Sequence, residues 1–232
     1  MPNTKNYSTR LRVLDQCLRS GHAYSGKELT EFINLELELR GEPTITSRTP
    51  LFNAIRKKTT VELRYQSFRM ADPQTLIVHP YYLKQYNNRW FLFCCDGDHT
   101  NLSNYPLDRI LSVKLAHVPY RETDINFDDY FADVLGVTKR EGQQAEKVLL
   151  RFPKNEYPYV ATKPWHGSQK KVAEDEISVT IELDVIVNYE LEQKILSWGD
   201  YIEVLQPLSL REKIKSRLIA CKNIYMVSRA RQ

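Results

Sequence analysis

The sequence predicts an α+β protein in three parts: a helical beginning, a small and strongly bent β-barrel, and an α+β module at the end. Three observations carry that prediction. Short helix-spaced apolar stripes occupy the first fifty residues, with Leu11, Leu14 and Leu18 as the first stripe. Closely spaced runs of alternating or continuous apolar character follow one short helix, from Thr60 to Ala116. From Val148 onward, strand and helix patterns follow in the order strand, helix, strand, strand, helix, strand, helix. The corresponding parts are residues 1–50, 51–117, a linker with a short helix at 118–146, and 147–232.

The chain has 232 residues, 42% of them hydrophobic and 27% charged, the balance of a globular protein with a core to bury. No apolar run is long enough for a membrane span, and Met1-Pro2-Asn3-Thr4-Lys5 does not begin a secretory signal. Cys17, Cys94, Cys95 and Cys221 show no C-x-x-C spacing and read as reduced thiols, which predicts a cytoplasmic protein. Net charge is +4 but unevenly spread. Residues 1–27 hold five Lys or Arg against one Asp, and residues 205–232 hold seven against one Glu. Basic ends suit phosphate contacts, and solvated helix faces explain them equally well.

In the first part, the helix over residues 9–19 ends at Ser20-Gly21. A second starts at Ser25, where Ser25-Gly26-Lys27-Glu28 matches a capping box, and Leu29, Phe32 and Ile33 form its apolar face. Two short helices with a basic first member look like a partial helix-turn-helix, which makes Arg10, Arg12, Lys27 and Arg48 the candidate DNA contacts. The polar lead-in Gly41 to Thr49 promises a third, reading helix, yet Pro50 and a different helix follow at once. That predicts residues missing from the chain between Thr49 and Pro50.

The barrel part opens with a helix over 51–58 that turns Leu51, Phe52 and Ile55 inward. Strands follow at Thr60–Tyr65, at Thr75–Tyr86 with an interruption at Pro80, at Arg89–Cys95, at Asn101–Pro106 and at Ile110–Ala116. Such closely spaced strands after one short helix suggest an SH3- or Sm-like barrel. Next, a short helix is expected over Phe127–Leu135. In the last part, strands are expected at Val148–Phe152, Ser168–Val172, Ile177–Val187 and Tyr201–Leu205. Helices are expected at Lys154–Ala161, after the capping residue Asn188, and after Pro207, where Leu210, Ile214 and Leu218 turn inward. This is the order of a ferredoxin-like sandwich with an added helix.

Several stretches together resemble the WYL-domain family of bacterial transcriptional regulators. Trp90-Phe91-Leu92, preceded by Asn87-Asn88-Arg89, stands where the family's Trp-Tyr-Leu motif stands, and Leu107-Asp108-Arg109-Ile110 matches its second signature. Tyr65 and His79-Pro80-Tyr81-Tyr82-Leu83 fit the flanking strands. Trp165-His166-Gly167-Ser168-Gln169, Trp198-Gly199 and Val204-Leu205-Gln206-Pro207 resemble the C-terminal extension that these regulators often have. The resemblance implies a sensor barrel that binds a small ligand, a nucleotide or single-stranded nucleic acid, and a homodimer whose N-terminal regions engage DNA. Many members have an Arg shortly before the Asp-Arg signature. Here that position is Ser103, which counts against a phosphate or nucleic acid and favours a polar, uncharged ligand.

The candidate ligand residues are Arg109, Tyr65, His79, Tyr82, Lys84, Ser103 and Asn104. A guanidinium at Arg109 offers a planar fork to a carboxylate or phosphate; the alternative is a structural pair with Asp108. Tyr65 and His79 read equally as core residues, and Trp90, Phe91 and Leu92 as barrel packing. Trp165, His166 and Gln169 suit a nucleic acid or a partner subunit. No catalytic constellation, metal-ligand spacing or cofactor motif stands out. The chain therefore reads as a ligand-responsive DNA-binding regulator and not as an enzyme. The alternative is an accessory sensor that binds RNA or single-stranded DNA without a complete DNA reader.

Overall fold

In the computed structural model the described residues are 48–97 and 101–227, apart from the side chains of Arg48, Thr49 and Val227. The expected helices before residue 48, with Arg10, Arg12 and Lys27, lie outside them, as does the Arg48 side chain. The chain divides into two compact units, one ending at Thr123 and the other beginning at Asp124.

The first unit opens with helix α1, Arg48–Arg56, which runs unbroken through Thr49 and Pro50. Pro50 sits in the first turn, where a missing N–H costs nothing because those groups have no partner inside the helix. The inward face differs from expectation. Leu51 and Ala54 are buried while Phe52 is 58% exposed, because positions three and four apart share a face and an adjacent position points about 100° away.

Five strands follow: β1 Val61–Tyr65, β2 Gln74–Tyr86, β3 Arg89–Asp96, β4 Leu102–Pro106 and β5 Ile110–Leu115. They form one antiparallel sheet in the order β4-β3-β2-β1-β5, a meander whose last strand returns to the far side of β1. The β2–β3 turn is Asn87-Asn88, with φ of 47° and 61°, the left-handed pair that a tight hairpin of the right twist requires. Register shifts at Arg64/Tyr65 and at Pro80/Tyr82 mark the bends that curl the sheet. Its concave side encloses Leu51, Val61, Leu63, Val78, Leu92 and Cys94, with Trp90 and Tyr105 packed partly against them. Residues 116–123 then return as a strap. Ala116 N–H donates to Thr60 O at 3.0 Å, and the Tyr120 hydroxyl donates to Pro80 O at 2.8 Å.

The second unit begins with a short helix, α2 Phe127–Phe131, which stops well before the expected end at Leu135. Val134, Leu135 and Val137 beyond it are buried all the same. Next come β6 Glu146–Pro153, α3 Tyr157–Thr162, β7 Lys170–Glu174, β8 Ser178–Val185, α4 Tyr189–Leu196, β9 Glu203–Gln206 and α5 Leu208–Val227. The sheet order is β7-β8-β6-β9 and every pairing is antiparallel, which is the ferredoxin-like arrangement of two interlocked βαβ halves. Leu150, Phe152, Ile181, Leu183, Leu191 and Ile195 are at most 1% exposed and form the centre of its core.

Local chemistry at the helix ends explains where the elements stop. Asn188 caps α4 by accepting from Leu191 N–H at 2.9 Å, and its amide donates to Leu135 O and Thr138 O. Two inward-placed residues prove exposed. Ile177, 79% exposed, lies in a turn that Asp175 closes by accepting from Ile177 N–H and Ser178 N–H. Leu218 is 45% exposed, one turn beyond the last residue of α5 that the unit covers, Ile214.

Candidate functional site

The turn between β4 and β5 is set by its apolar ends. Leu107 and Ile110 are 6% and 9% exposed, so the 3-10 turn Leu107–Arg109 is anchored at both ends and its two charges must leave the core. Gln66 N–H donates to Arg109 O at 3.1 Å, which ties the turn to the end of β1. The loop after β1 is held close to it. Gln66 donates to Ala71 O at 2.9 Å, and Met70 N–H donates to Ser67 O at 3.0 Å.

These ties place the Arg109 guanidinium 4.1 Å from the centre of the Phe68 ring. Phe68 is 77% exposed, so the platform faces solvent. Arg109 Nε is buried and has no hydrogen-bond partner among the described residues. A buried donor left unmade costs about 1–3 kcal/mol, which an incoming acceptor would recover. Asp108 does not hold Arg109, contrary to the pairing read from the sequence. Its carboxylate pairs with Arg89 Nε at 3.2 Å, at the start of β3. The Asp-Arg signature therefore sends its two charges to different partners, the aspartate to Arg89 and the arginine to the Phe68 ring.

The remaining candidates fall into three groups. Tyr65, 8% exposed and paired with Ile110 across β1–β5, meets the Tyr105 ring edge-on at 4.9 Å. The Tyr105 hydroxyl donates to Asp96. Burial first, and then that carboxylate, hold the phenol well above its ordinary pKa, so it stays a donor. Ser103 pairs with Cys94 in the neighbouring register, on this same side of the sheet. Tyr105 thus links the Tyr65 ring, beside the rim turn, to Asp96 at the far end of β3.

Tyr82, Lys84 and Asn104 lie on the other side of the sheet. Across the strands Tyr82 lines up with Phe93 and Asn104, and Lys84 with Phe91; these alternate with Leu83, Leu92 and Tyr105, which belong to the first side. Burial lowers the pKa of Lys84. His79 belongs to neither group. It is 4% exposed, and its Nδ1 accepts from Arg121 N–H at 3.2 Å and lies 3.1 Å from Thr60 Oγ1. Two donors converging on Nδ1 leave the proton on Nε2. Burial, and then the Arg121 charge, hold the ring below its usual pKa. Tyr120 meets the His79 ring edge-on at 6.0 Å and Tyr81 meets Tyr120 in the same way; each phenol is pushed up to about 12 chiefly by burial. His79 is thus the fastening point of the strap.

The sequence reading missed Phe68, Arg89, Tyr105 and Asp96. The available signal was an aromatic inside a polar turn, Gln66-Ser67-Phe68-Arg69, where a fold gains nothing from one. Among the described residues no three His, Cys, Asp or Glu side chains gather as metal ligands, and no helix is long and apolar enough to cross a membrane.

Comparison with known proteins matches residues 48–115 to the WYL domain and residues 144–220 to the WCX domain. An uncharacterized HTH-type transcriptional regulator of Bacillus subtilis (strain 168), YobV, is 25% identical over 226 residues, spanning 95% of this chain and 69% of that protein. Among solved structures, proteasome accessory factor B/C of Arthrobacter aurescens is similar over 77% of this chain, with 16% identity and a TM-score of 0.35. A CRISPR Cas-related protein is similar over 85%, with 10% identity and a TM-score of 0.44. The chain spans 27% and 52% of those two chains.

Proposed function

Because this chain belongs to the WYL-domain regulators, with a WCX domain after the barrel, we propose that it is a ligand-responsive, DNA-binding transcriptional regulator. In this reading it is cytoplasmic and has no catalytic role of its own. The relative named as an HTH-type regulator supports the class, and the rim of the barrel supports the sensing. One observation carries the sensing. Arg109 lies over an exposed aromatic ring, with a buried donor unmet and its neighbouring carboxylate engaged elsewhere.

Such a pair suits a ligand with a planar face and an acceptor or anionic group: a nucleotide, or one base and phosphate of a single strand. The aromatic ring supplies area and the guanidinium supplies a directed fork, so both are used at once. Tyr65, Ser103 and Tyr105 lie next to the rim turn and would contact the part of the ligand that enters the barrel. Tyr82, Lys84, Asn104 and His79 are not part of this site.

The mechanism is a population shift. A ligand at Arg109 favours one arrangement of a homodimer, and that arrangement sets how the N-terminal readers, with Arg10, Arg12, Lys27 and Arg48, meet DNA. Arg109→Ala is expected to remove the ligand response and leave basal DNA binding intact, measured by anisotropy of a labelled operator with and without nucleotide. A response that survives the substitution places the sensor elsewhere.

The accessory reading, binding RNA or single-stranded DNA on the barrel, draws on the same cation-aromatic pair. The two separate in one titration. A regulator prefers a duplex operator over a single strand of equal length across a range of salt, and an accessory sensor shows the reverse.

A further inference from the structure

We propose that the groove between β9 and α5 docks an acidic amphipathic helix of a partner protein. The groove holds about 370 Å3 and has an apolar floor, with Ile202 and Val204 on one side and Ile214, Leu218 and Ile219 of α5 on the other. Its walls are basic. Arg211, Lys215 and Lys222 line it against a single carboxylate, Glu203.

The fold itself does not use up that imbalance. Glu203 is already shared by two arginines, Arg211 at 2.8 Å and Arg151 at 3.3 Å. Lys215 reaches Glu212 at 3.1 Å in an exposed pair one turn apart, which is worth little in water. Lys222 pairs with no carboxylate among the described residues. The packed side of the same helix is different. There Lys213 and Arg217 both pair with Glu192, whose side chain is 5% exposed. The cations on the packed side thus share a buried carboxylate, and those on the groove side do not.

At about 100° per residue, Arg211, Ile214, Lys215, Leu218, Ile219 and Lys222 share one face of α5 roughly 140° wide. Tyr225 and Met226 extend it, 77% and 65% exposed, after Leu218 at 45% and Ile219 at 51%. An apolar stripe flanked by one sign of charge selects a helix with a matching stripe and the opposite charge beside it. From Arg211 to Met226 the face runs roughly 22 Å at about 1.5 Å per residue, room for about four turns of a partner helix. An added strand finds less. β9 has only 4 residues, and Val204 O already accepts from the Arg211 guanidinium. A nucleic acid would answer the charge, but its phosphates would leave the apolar floor uncovered. A second copy would bring the same cations against these.

The test is fluorescence anisotropy of the full chain with a labelled synthetic helix of about fifteen residues, with leucines at heptad spacing and glutamates flanking them. A second peptide has lysine in place of every glutamate. Wild type is expected to bind the glutamate peptide about tenfold or more tightly than the lysine peptide, and severalfold more weakly at high salt than at low. Leu218→Glu on the floor should weaken that binding about thirtyfold, and Lys222→Glu about tenfold. Lys222 is exposed, so its substitution leaves folding intact, which circular dichroism checks. Ala220→Glu adds the same charge outside the groove face and should bind as wild type does. Lys215→Glu combined with Lys222→Glu should reverse the preference toward the lysine peptide. Equal binding of the two peptides, or binding that ignores both Leu218→Glu and Lys222→Glu, overturns the proposal. So does a single-stranded oligonucleotide that displaces the labelled peptide better than its unlabelled copy does. Self-association of wild type that Leu218→Glu abolishes in sedimentation would make a second copy the occupant and would overturn it too. Arg109→Ala should bind the peptide normally, so failure here is separable from failure of the ligand reading.

Discussion

At Arg109 the local sequence and the folded surroundings each supply half of the site. Its placement between Leu107 and Ile110 was legible, since two apolar anchors force the charges of a short turn outward. Its partner was not, because Phe68 comes from a loop 41 positions earlier and nothing local links the two. The same holds for Asp108, whose partner Arg89 lies across a strand. Phe68→Ala separates fold from function. An aromatic this exposed contributes little to stability, so the thermal midpoint should move by less than about 2 °C. Nucleotide affinity should fall about fivefold, the scale of one partly exposed cation–π contact. A large loss of stability would make Phe68 a structural residue. His79 makes a second prediction at this scale. Its pKa is lowered in the folded state, so the unfolded chain binds the extra proton first as pH falls below the ordinary value of 6.5. This contribution to stability is whole above that pH and is lost as pH drops from there toward the folded pKa. His79→Gln should flatten that part of the stability profile in denaturant titrations from pH 7.5 to 5. An unchanged profile would show that the strap does not depend on the neutral ring.

Alternation exposed the strands, and capping residues exposed the helix starts, so the elements were more legible than the contacts. The misses fall at the ends of patterns. Ile177 and Leu218 each extend an apolar series by one position, beyond the point where the neighbouring layer covers it, and Phe52 lies about 100° off the inward face of its helix. The segment around Val134 to Val137 leaves the helix expected over Phe127–Leu135, yet it is buried because α4 reaches out to it. Glu190 Oε1 accepts from Thr138 Oγ1 at 2.7 Å and from Val137 N–H at 3.3 Å. Gly136 lies directly on that side chain: a Cβ there would stand 2.6 Å from Glu190 Cγ, and φ is +97°. Gly136→Ala therefore meets both a backbone penalty and a clash, and should cost about 2–3 kcal/mol in urea unfolding. Asn188→Ala removes a helix cap and leaves Leu135 O and Thr138 O without their donor, for about 2 kcal/mol. Neutral outcomes for both would mean that this segment is not part of the second unit's fold.

For the whole molecule, two units of different topology follow one another, and the class of each was readable from spacing. Closely spaced strands predicted a small, strongly bent barrel without its strand order; the alternation of strands with helices predicted the ferredoxin-like sheet. The candidate site was readable only as far as the residues around the Asp-Arg turn. If the N-terminal part contacts phosphate, the slope of log affinity against log salt should become shallower by about one for each of Arg10, Arg12 and Lys27 changed to Ala. A slope that ignores all three would remove the N-terminal region from the DNA interface.

The central claim is that Arg109 on Phe68 reads a ligand, and calorimetry tests it most directly. Wild type and Arg109→Ala are titrated with inorganic phosphate, a nucleoside monophosphate and a short single-stranded oligonucleotide. The account predicts that the monophosphate or the oligonucleotide binds wild type more tightly than phosphate alone, and that Arg109→Ala weakens this at least tenfold, the loss of one charge-assisted contact. Binding that is equal in the two proteins, or an absence of binding to all three probes, would contradict it.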